Sequence, residues 1–139
     1  MITSGLFTSN TDQWATPQDF FDELNNEFHF DLDVCADDTN HKCDKYYTKE
    51  QDGLAQKWSG FVWCNPPYGK EIGKWVKAVS EYVGGGVMLL PARTDTRWFH
   101  DYIYNKAEIR FIKGRLKFGG SKNSAPFPSM VVIFRRKDG

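Results

Sequence analysis

Apolar and polar positions divide this chain into short segments of two kinds. Phe20, Phe21, Leu24 and Phe28 recur at helical spacing, and Thr16-Pro17 ahead of them reads as a helix start, with Thr16 as cap and Pro17 in the first position. The spacing predicts a helix over 17–28. Residues 30–36 alternate and are few, which suits a buried strand ending near 33–36. In the polar stretch 37–57, Tyr46-Tyr47-Thr48 is the one strand candidate. Phe61-Val-Trp-Cys64 is an apolar run that stops at Asn65-Pro66-Pro67, a strand feeding a rigid loop. Ile72, Trp75, Val76, Val79 and Val83 share one helical face over 70–83, closed by Gly84-Gly85-Gly86. Residues 87–90 form another buried strand, ended by Pro91, and 96–105 reads as a helix with Trp98, Phe99, Tyr102 and Ile103 on its apolar side. Residues 109–112 and 130–134 are the last two strands, joined through a glycine- and proline-rich loop, 114–129.

Strands separated by helical patterns predict βαβ units, an α/β fold and a mostly parallel sheet. Ligands bind beyond the carboxyl ends of the strands in such a sheet. That rule selects three loops, 33–36, 65–69 and 91–95.

At 139 residues the chain is one domain's worth, expected over 14–139 behind a loosely held lead-in at 1–13. Forty per cent hydrophobic and 26% charged residues are ordinary for a globular protein and exclude collagen-like or wholly disordered classes. No apolar stretch approaches the ~18–20 residues of a membrane span. The first residues lack the basic start and apolar run of a signal peptide, so a cytoplasmic protein is expected. Residues 1–60 carry twelve acidic side chains against four basic, whereas 106–139 carry nine basic against two acidic. A basic segment serves a polyanion binder, or is simply a solvated face. Cys35, Cys43 and Cys64 make an odd set without a paired CxxC, which fits a reducing compartment. Cys35, His41 and Cys43 do not have a common zinc-ligand spacing, so no metal is expected.

Asn65-Pro66-Pro67-Tyr68 carries the chemistry. Each proline fixes φ near −65°, so the loop holds its acceptors in place without ordering at each turnover. The Asn65 side-chain oxygen and the Pro66 carbonyl suit the two hydrogens of one planar NH2 group, and Tyr68 offers an aromatic face to the ring bearing it. An amine conjugated to a ring or carbonyl is a poor nucleophile. Two acceptors draw its nitrogen toward tetrahedral geometry and stabilise the charge that develops as it attacks a methyl on a sulfonium.

Asn-Pro-Pro-Tyr after a buried strand resembles the catalytic motif of S-adenosylmethionine-dependent amino-methyltransferases. More of the chain is similar to the phage-type DNA N6-adenine methyltransferase (Dam) family: Trp14-Ala-Thr16-Pro17, Asp31–Ala36, Trp58–Gly69, Leu90–Thr96, Gly114–Phe118 and Ala125–Ser129, in the family's order. The resemblance implies a compact Rossmann-like methyltransferase fold with helices on both faces of the sheet. It implies methyl transfer from S-adenosyl-L-methionine to adenine N6 in double-stranded DNA, with the base flipped out. Asn65, Pro66, Pro67 and Tyr68 would be catalytic. Trp14, Thr16 and Pro17 would meet the cofactor, whose carboxylate suits the free amides at a helix start. Asp33, Cys35 and Ala36 stand where larger relatives carry Gly-x-Gly, and Asp52 is a further cofactor candidate. Asp33 alternatively caps its own turn. Arg115 and Lys117 would meet phosphates, and Phe127 would be a second wall for the base. Arg93, Asp95 and Thr96 follow a strand on the site side, where Arg93 would meet the DNA substrate, whereas Asp95 or Thr96 alternatively caps the next helix. Trp58, Trp63, Trp75 and Trp98 read as core, and none of His29, His41 and His100 is expected to be a base. The chain has no room for a separate target-recognition domain, so specificity would come from loops or from a second subunit of a homodimer, or be short and loose. A glutamine-amide methyltransferase and a catalytically inactive DNA-binding decoy are the competing readings.

Overall fold

The structure, a computed structural model, describes residues 14–118 and 125–137; the expected lead-in, 1–13, lies outside the described residues. Helix α1 runs Gln18–Phe28 and buries Phe21 and Leu24. Pro17, rather than Thr16, holds the N-cap position, with φ −59° and ψ 135°, and no side chain caps the first turn. The expected Thr16 cap is therefore corrected: its hydroxyl is engaged by a residue from another loop, Asn65. At the other end His29 turns left-handed, φ 58°, and its N–H donates to the Asn25 carbonyl. The Phe30 N–H then donates to Asn25 Oδ1 at 2.9 Å. Phe30 is thus spent on closing α1, and strand β1 starts later than expected, spanning Leu32–Ala36.

The remaining strands are β2 (Tyr46–Thr48), β3 (Val62–Cys64), β4 (Gly86–Pro91), β5 (Glu108–Phe111) and β6 (Ser129–Phe134). They form one six-stranded sheet in the order β2-β1-β3-β4-β6-β5. The β2-β1, β1-β3 and β3-β4 pairings are parallel. β6 runs antiparallel to both β4 and β5, so the sheet is mostly parallel, as expected, with the pairings of β6 the antiparallel part. β4 and β6 are buried at every position and form the middle of the core.

Helix α2 (Ile72–Glu81) links β3 to β4 and buries Ile72, Trp75, Val76 and Val79; the expected fifth member of that face, Val83, lies past the end of the helix and is exposed. The described residues hold fewer helices than a fully alternating βαβ chain. Segment 37–45, between β1 and β2, is held by polar contacts instead: Asp37 Oδ1 accepts from the N–H groups of Thr39 and Asn40. A 3-10 turn, Gly53–Ala55, follows β2. It lies so close to β1 that a Cβ on Gly53 would sit 2.0 Å from the Val34 carbonyl oxygen. The expected helix over 96–105 is shorter and wider. It contains a π-helical turn, Phe99–Ile103, in which the Tyr104 N–H reaches five residues back to the Phe99 carbonyl. Thr96 Oγ1 accepts from the Phe99 N–H, the capping alternative for that residue, and Asn105 at φ 63° ends the segment.

Candidate active site

β1 lies between β2 and β3, so the chain leaves it toward one edge and then returns on its other side. The crevice at the carboxyl ends of β1 and β3 is the switch point where α/β sheets bind ligands. Asn65-Pro66-Pro67-Tyr68 opens directly from β3 into that crevice. Asn65 Nδ2 donates to the backbone carbonyl of Trp14 and, at 2.9 Å, to Thr16 Oγ1. A carbonyl only accepts, so the nitrogen must face Trp14 and the amide orientation is fixed by chemistry. Asn65 Oδ1 is left buried with no partner among the described residues. A buried acceptor without a donor costs free energy, on the order of 1–3 kcal/mol, which marks it as a position awaiting a ligand N–H.

Tyr68 turns from the loop back over the sheet. Its hydroxyl donates to the Leu89 carbonyl of β4 at 3.2 Å, and only 3% of the residue is exposed. Burial holds the phenol far above its ordinary titration range, so it stays protonated. The Tyr68 ring meets Phe127 edge-on at 5.4 Å and Phe118 at 6.4 Å. Trp14 packs edge-on against the same two rings, at 5.2 Å from Phe127 and 5.6 Å from Phe118. Asn65 and its neighbours thus stand beside a four-ring cluster. Arg93 reaches over this cluster from the end of β4, its guanidinium 5.9 Å from the Phe127 ring centre.

On the β1 side, Asp33 is the second residue of the strand rather than its end, and is 2% exposed. Its carboxylate accepts from the Cys35 N–H at 3.2 Å and from the Lys42 N–H at 3.0 Å, bracing the loop that leaves β1. Desolvation outweighs these two bonds and pushes its pKa up to about 6. Cys35 and Ala36 complete β1, both half-buried. Asp52 is exposed and left-handed, φ 55°, ahead of the 3-10 turn. The structure therefore groups Trp14, Thr16, Asn65, Tyr68, Arg93 and Phe127 by direct contact. Asp33 touches its own loop, and Asp52 has no contact with that group.

Arg115 and Lys117 are exposed, while Leu116 and Phe118 between and beside them turn inward. The Ala125 N–H donates to the Leu116 carbonyl at 2.7 Å, joining the two arms of the 114–129 loop. Trp63 and Trp75 are core residues as expected, and Trp58 and Trp98 are packed against the core. Sequence reasoning assigned no role to Phe118 or Ser129, although both lie in segments that carry the family resemblance. Phe118 closes the aromatic cluster, and Ser129 Oγ is a second buried atom with no partner among the described residues.

A rigid loop presenting an orphan acceptor at the switch point of an α/β sheet is an arrangement suited to receiving a planar amine. The family model for DNA N-6-adenine-methyltransferase (Dam) matches residues 3–138, and the chain belongs to that family. It is 34% identical over 149 aligned positions to the DNA N-6-adenine-methyltransferase of Haemophilus phage HP1, covering 99% of this chain and 86% of the relative. A second relative, the DNA N-6-adenine-methyltransferase of Escherichia phage T1, is 34% identical over 110 residues, which is 76% of this chain and 46% of that protein. The putative methyltransferase YfdM of Escherichia coli K12 is 43% identical over 65 residues, 41% of this chain and 71% of the relative.

Proposed function

We propose that this protein transfers the methyl group of S-adenosyl-L-methionine to the N6 amine of adenine in double-stranded DNA, on a Rossmann-like sheet whose last two strands run antiparallel. The observation that carries this reading is the buried, unpartnered Oδ1 of Asn65 at the mouth of a Pro-Pro loop. Asn65 Oδ1 and the Pro66 carbonyl accept the two N6 hydrogens. Accepting both withdraws the amine from conjugation with the purine and favours the charge that grows on it. The amine so held would be the nucleophile toward the methyl that the cofactor would supply, the sulfonium sulfur leaving with the electrons of its bond to that methyl. The surplus proton then leaves N6 for water. Tyr68 is no base for that proton, because its hydroxyl is donated to Leu89 and burial keeps it protonated.

The residues present fit the cofactor. The first turn of α1 has no side-chain cap, so its N–H groups are suited to a carboxylate, and Thr16 just before them touches Asn65. When bound, the cofactor supplies the electrophilic methyl. Trp14 and Pro17 would border its carboxylate end, with the Thr16 hydroxyl between them turned to Asn65. Asp33 shapes the β1 loop, including Cys35 and Ala36, on the other side of the crevice, and Asp52 is an outlying polar contact. The target base leaves the duplex and stacks on Tyr68, exchanging ring contacts of Phe127 for its own and using Phe127 as the second wall. Arg93, Arg115 and Lys117 meet phosphates.

Family membership favours the DNA amine over a glutamine amide, and the intact Asn65–Tyr68 loop disfavours an inactive decoy. The test is transfer from labelled S-adenosylmethionine to unmethylated duplex DNA, followed by nucleoside analysis. N6-methyladenine in the digest is expected. Cofactor binding without label in DNA would overturn the choice of substrate, and absence of cofactor binding would overturn the reaction.

A further inference from the structure

The Asn65 amide must present oxygen, not nitrogen, to an incoming amine, and a free asparagine side chain presents either. The structure holds it in one orientation. Both amide hydrogens are taken, one by the Trp14 carbonyl and one by Thr16 Oγ1 at 2.9 Å. Thr16 is 4% exposed, so this bond is shielded from competing water. We infer that Thr16 is a positioning residue: together with the Trp14 carbonyl it latches the Asn65 amide so that Oδ1 alone faces the substrate amine.

The latch does two things. It removes the rotamer freedom that Asn65 would otherwise lose at each turnover, and it excludes the flipped amide, whose NH2 would oppose the substrate NH2 donor to donor. An amide whose N–H groups are both donated is also more polarised, which strengthens its oxygen as an acceptor. The inference rests on Asn65 being the amine acceptor. It moves Thr16 from the cofactor contact expected from the motif to the side of the acceptor. The two roles separate experimentally, since a cofactor contact governs cofactor affinity and a latch governs the rate of the transfer step.

The variants are Thr16→Val, which keeps the shape and removes the hydroxyl, and Thr16→Ser, which keeps the hydroxyl. Single-turnover transfer is measured at saturating S-adenosylmethionine and DNA, alongside the dissociation constant of the cofactor. Thr16→Val is expected to slow transfer about tenfold or more with cofactor affinity within about threefold of wild type, and Thr16→Ser to restore most of the rate. A wild-type rate in Thr16→Val, or a loss confined to cofactor affinity, overturns the inference while adenine methylation by the wild type stands. If the wild type itself made no N6-methyladenine, the proposed reaction would fall instead. A second measurement needs neither the variant nor activity. In the wild-type protein, the Asn65 side-chain NH2 resonances should exchange slowly with solvent, and exchange at the rate of exposed asparagines overturns the latch.

Discussion

The hydroxyl of Tyr68 is donated to the Leu89 carbonyl at 3.2 Å, fastening the aromatic residue of the Asn65–Tyr68 loop to the neighbouring strand β4. Hydroxyl and ring therefore have separable roles. Tyr68→Phe removes one buried hydrogen bond and should cost about 1 kcal/mol of stability. It keeps the ring, and transfer at saturation should stay within about threefold of wild type. Tyr68→Ala removes the stacking face, worth roughly 1–3 kcal/mol per base, and should weaken capture of the flipped adenine about tenfold or more. Urea unfolding and single-turnover kinetics on both variants check this. A Tyr68→Phe rate as low as that of Tyr68→Ala would show that the phenol itself takes part in the reaction.

Asn65→Ala deletes the orphan acceptor together with its two anchoring bonds. Loss of a positioned acceptor of this kind costs on the order of 3 kcal/mol of barrier, about a hundredfold or more in rate. DNA retention should change little, because the phosphate contacts are proposed on Arg93, Arg115 and Lys117. A gel-shift series beside a transfer assay separates the two effects. Transfer at near wild-type rate would remove Asn65 from the mechanism.

The Asn65 loop was legible because its signal is local: an apolar run cut off by two prolines can only be a strand ending in a stiff turn. Thr16 was not. A threonine before proline at the head of a helical pattern reads as a cap, and its actual partner stands 49 positions away. Periodicity likewise marks residues 130–134 as a buried strand but says nothing of direction, and β6 runs antiparallel. The β1 boundary slipped for a similar reason: Asn25 draws Phe30 into the end of α1 through a side-chain bond that no hydrophobic pattern encodes. The aromatic cluster was half visible. The motifs mark Tyr68 and Phe127 as surfaces for the base, whereas the structure packs them on each other with Trp14 and Phe118.

Asp33 makes stability pH-dependent in a direction opposite to that of ordinary paired carboxylates. Burial raises its pKa to about 6, above its unfolded value of 3.8, so the folded state binds the proton more tightly. Its contribution is then most favourable when the carboxyl is protonated and is lost as pH rises through about 6. Between pH 7 and pH 5 the wild type should gain roughly 1 kcal/mol relative to Asp33→Asn, which has no charge to bury. Urea midpoints of the two proteins at both pH values test this. A wild type that weakens relative to the variant on acidification would show that the two N–H bonds from Cys35 and Lys42, and not burial, dominate this carboxylate.

All three cysteines lie near the sheet, and burial raises each thiol. Cys35 and Cys43 are pushed up to about 12, and Cys64, at the end of β3, is held well above its usual range. The thiolate is the reactive form, so native protein should be nearly inert to Ellman's reagent at pH 8. All three thiols should react on unfolding. One fast-reacting thiol in the native protein would contradict the upward shift of that residue's thiol.

Arg115 and Lys117 are exposed on one arm of the 114–129 loop, with Leu116 and Phe118 turned inward between and beside them. The inward residues anchor the arm, so the outward charges are presented by backbone that packing holds in place. Each phosphate contact releases condensed counterions, and log affinity for duplex DNA falls with log salt by about 0.9 per contact. Arg115→Ala and Lys117→Ala should each weaken binding to all duplex sequences alike and reduce the salt slope by about 1. The double variant should reduce it by about 2, because each exposed charge would meet its own phosphate. Saturated transfer on a short duplex at low salt should stay near wild type, since neither residue touches Asn65 or Tyr68. Titrations of fluorescent duplexes between 50 and 200 mM salt give the slope directly. An unchanged slope in the double variant would move the DNA to another face of the sheet, and a loss confined to particular sequences would make these residues readers of bases rather than holders of phosphate.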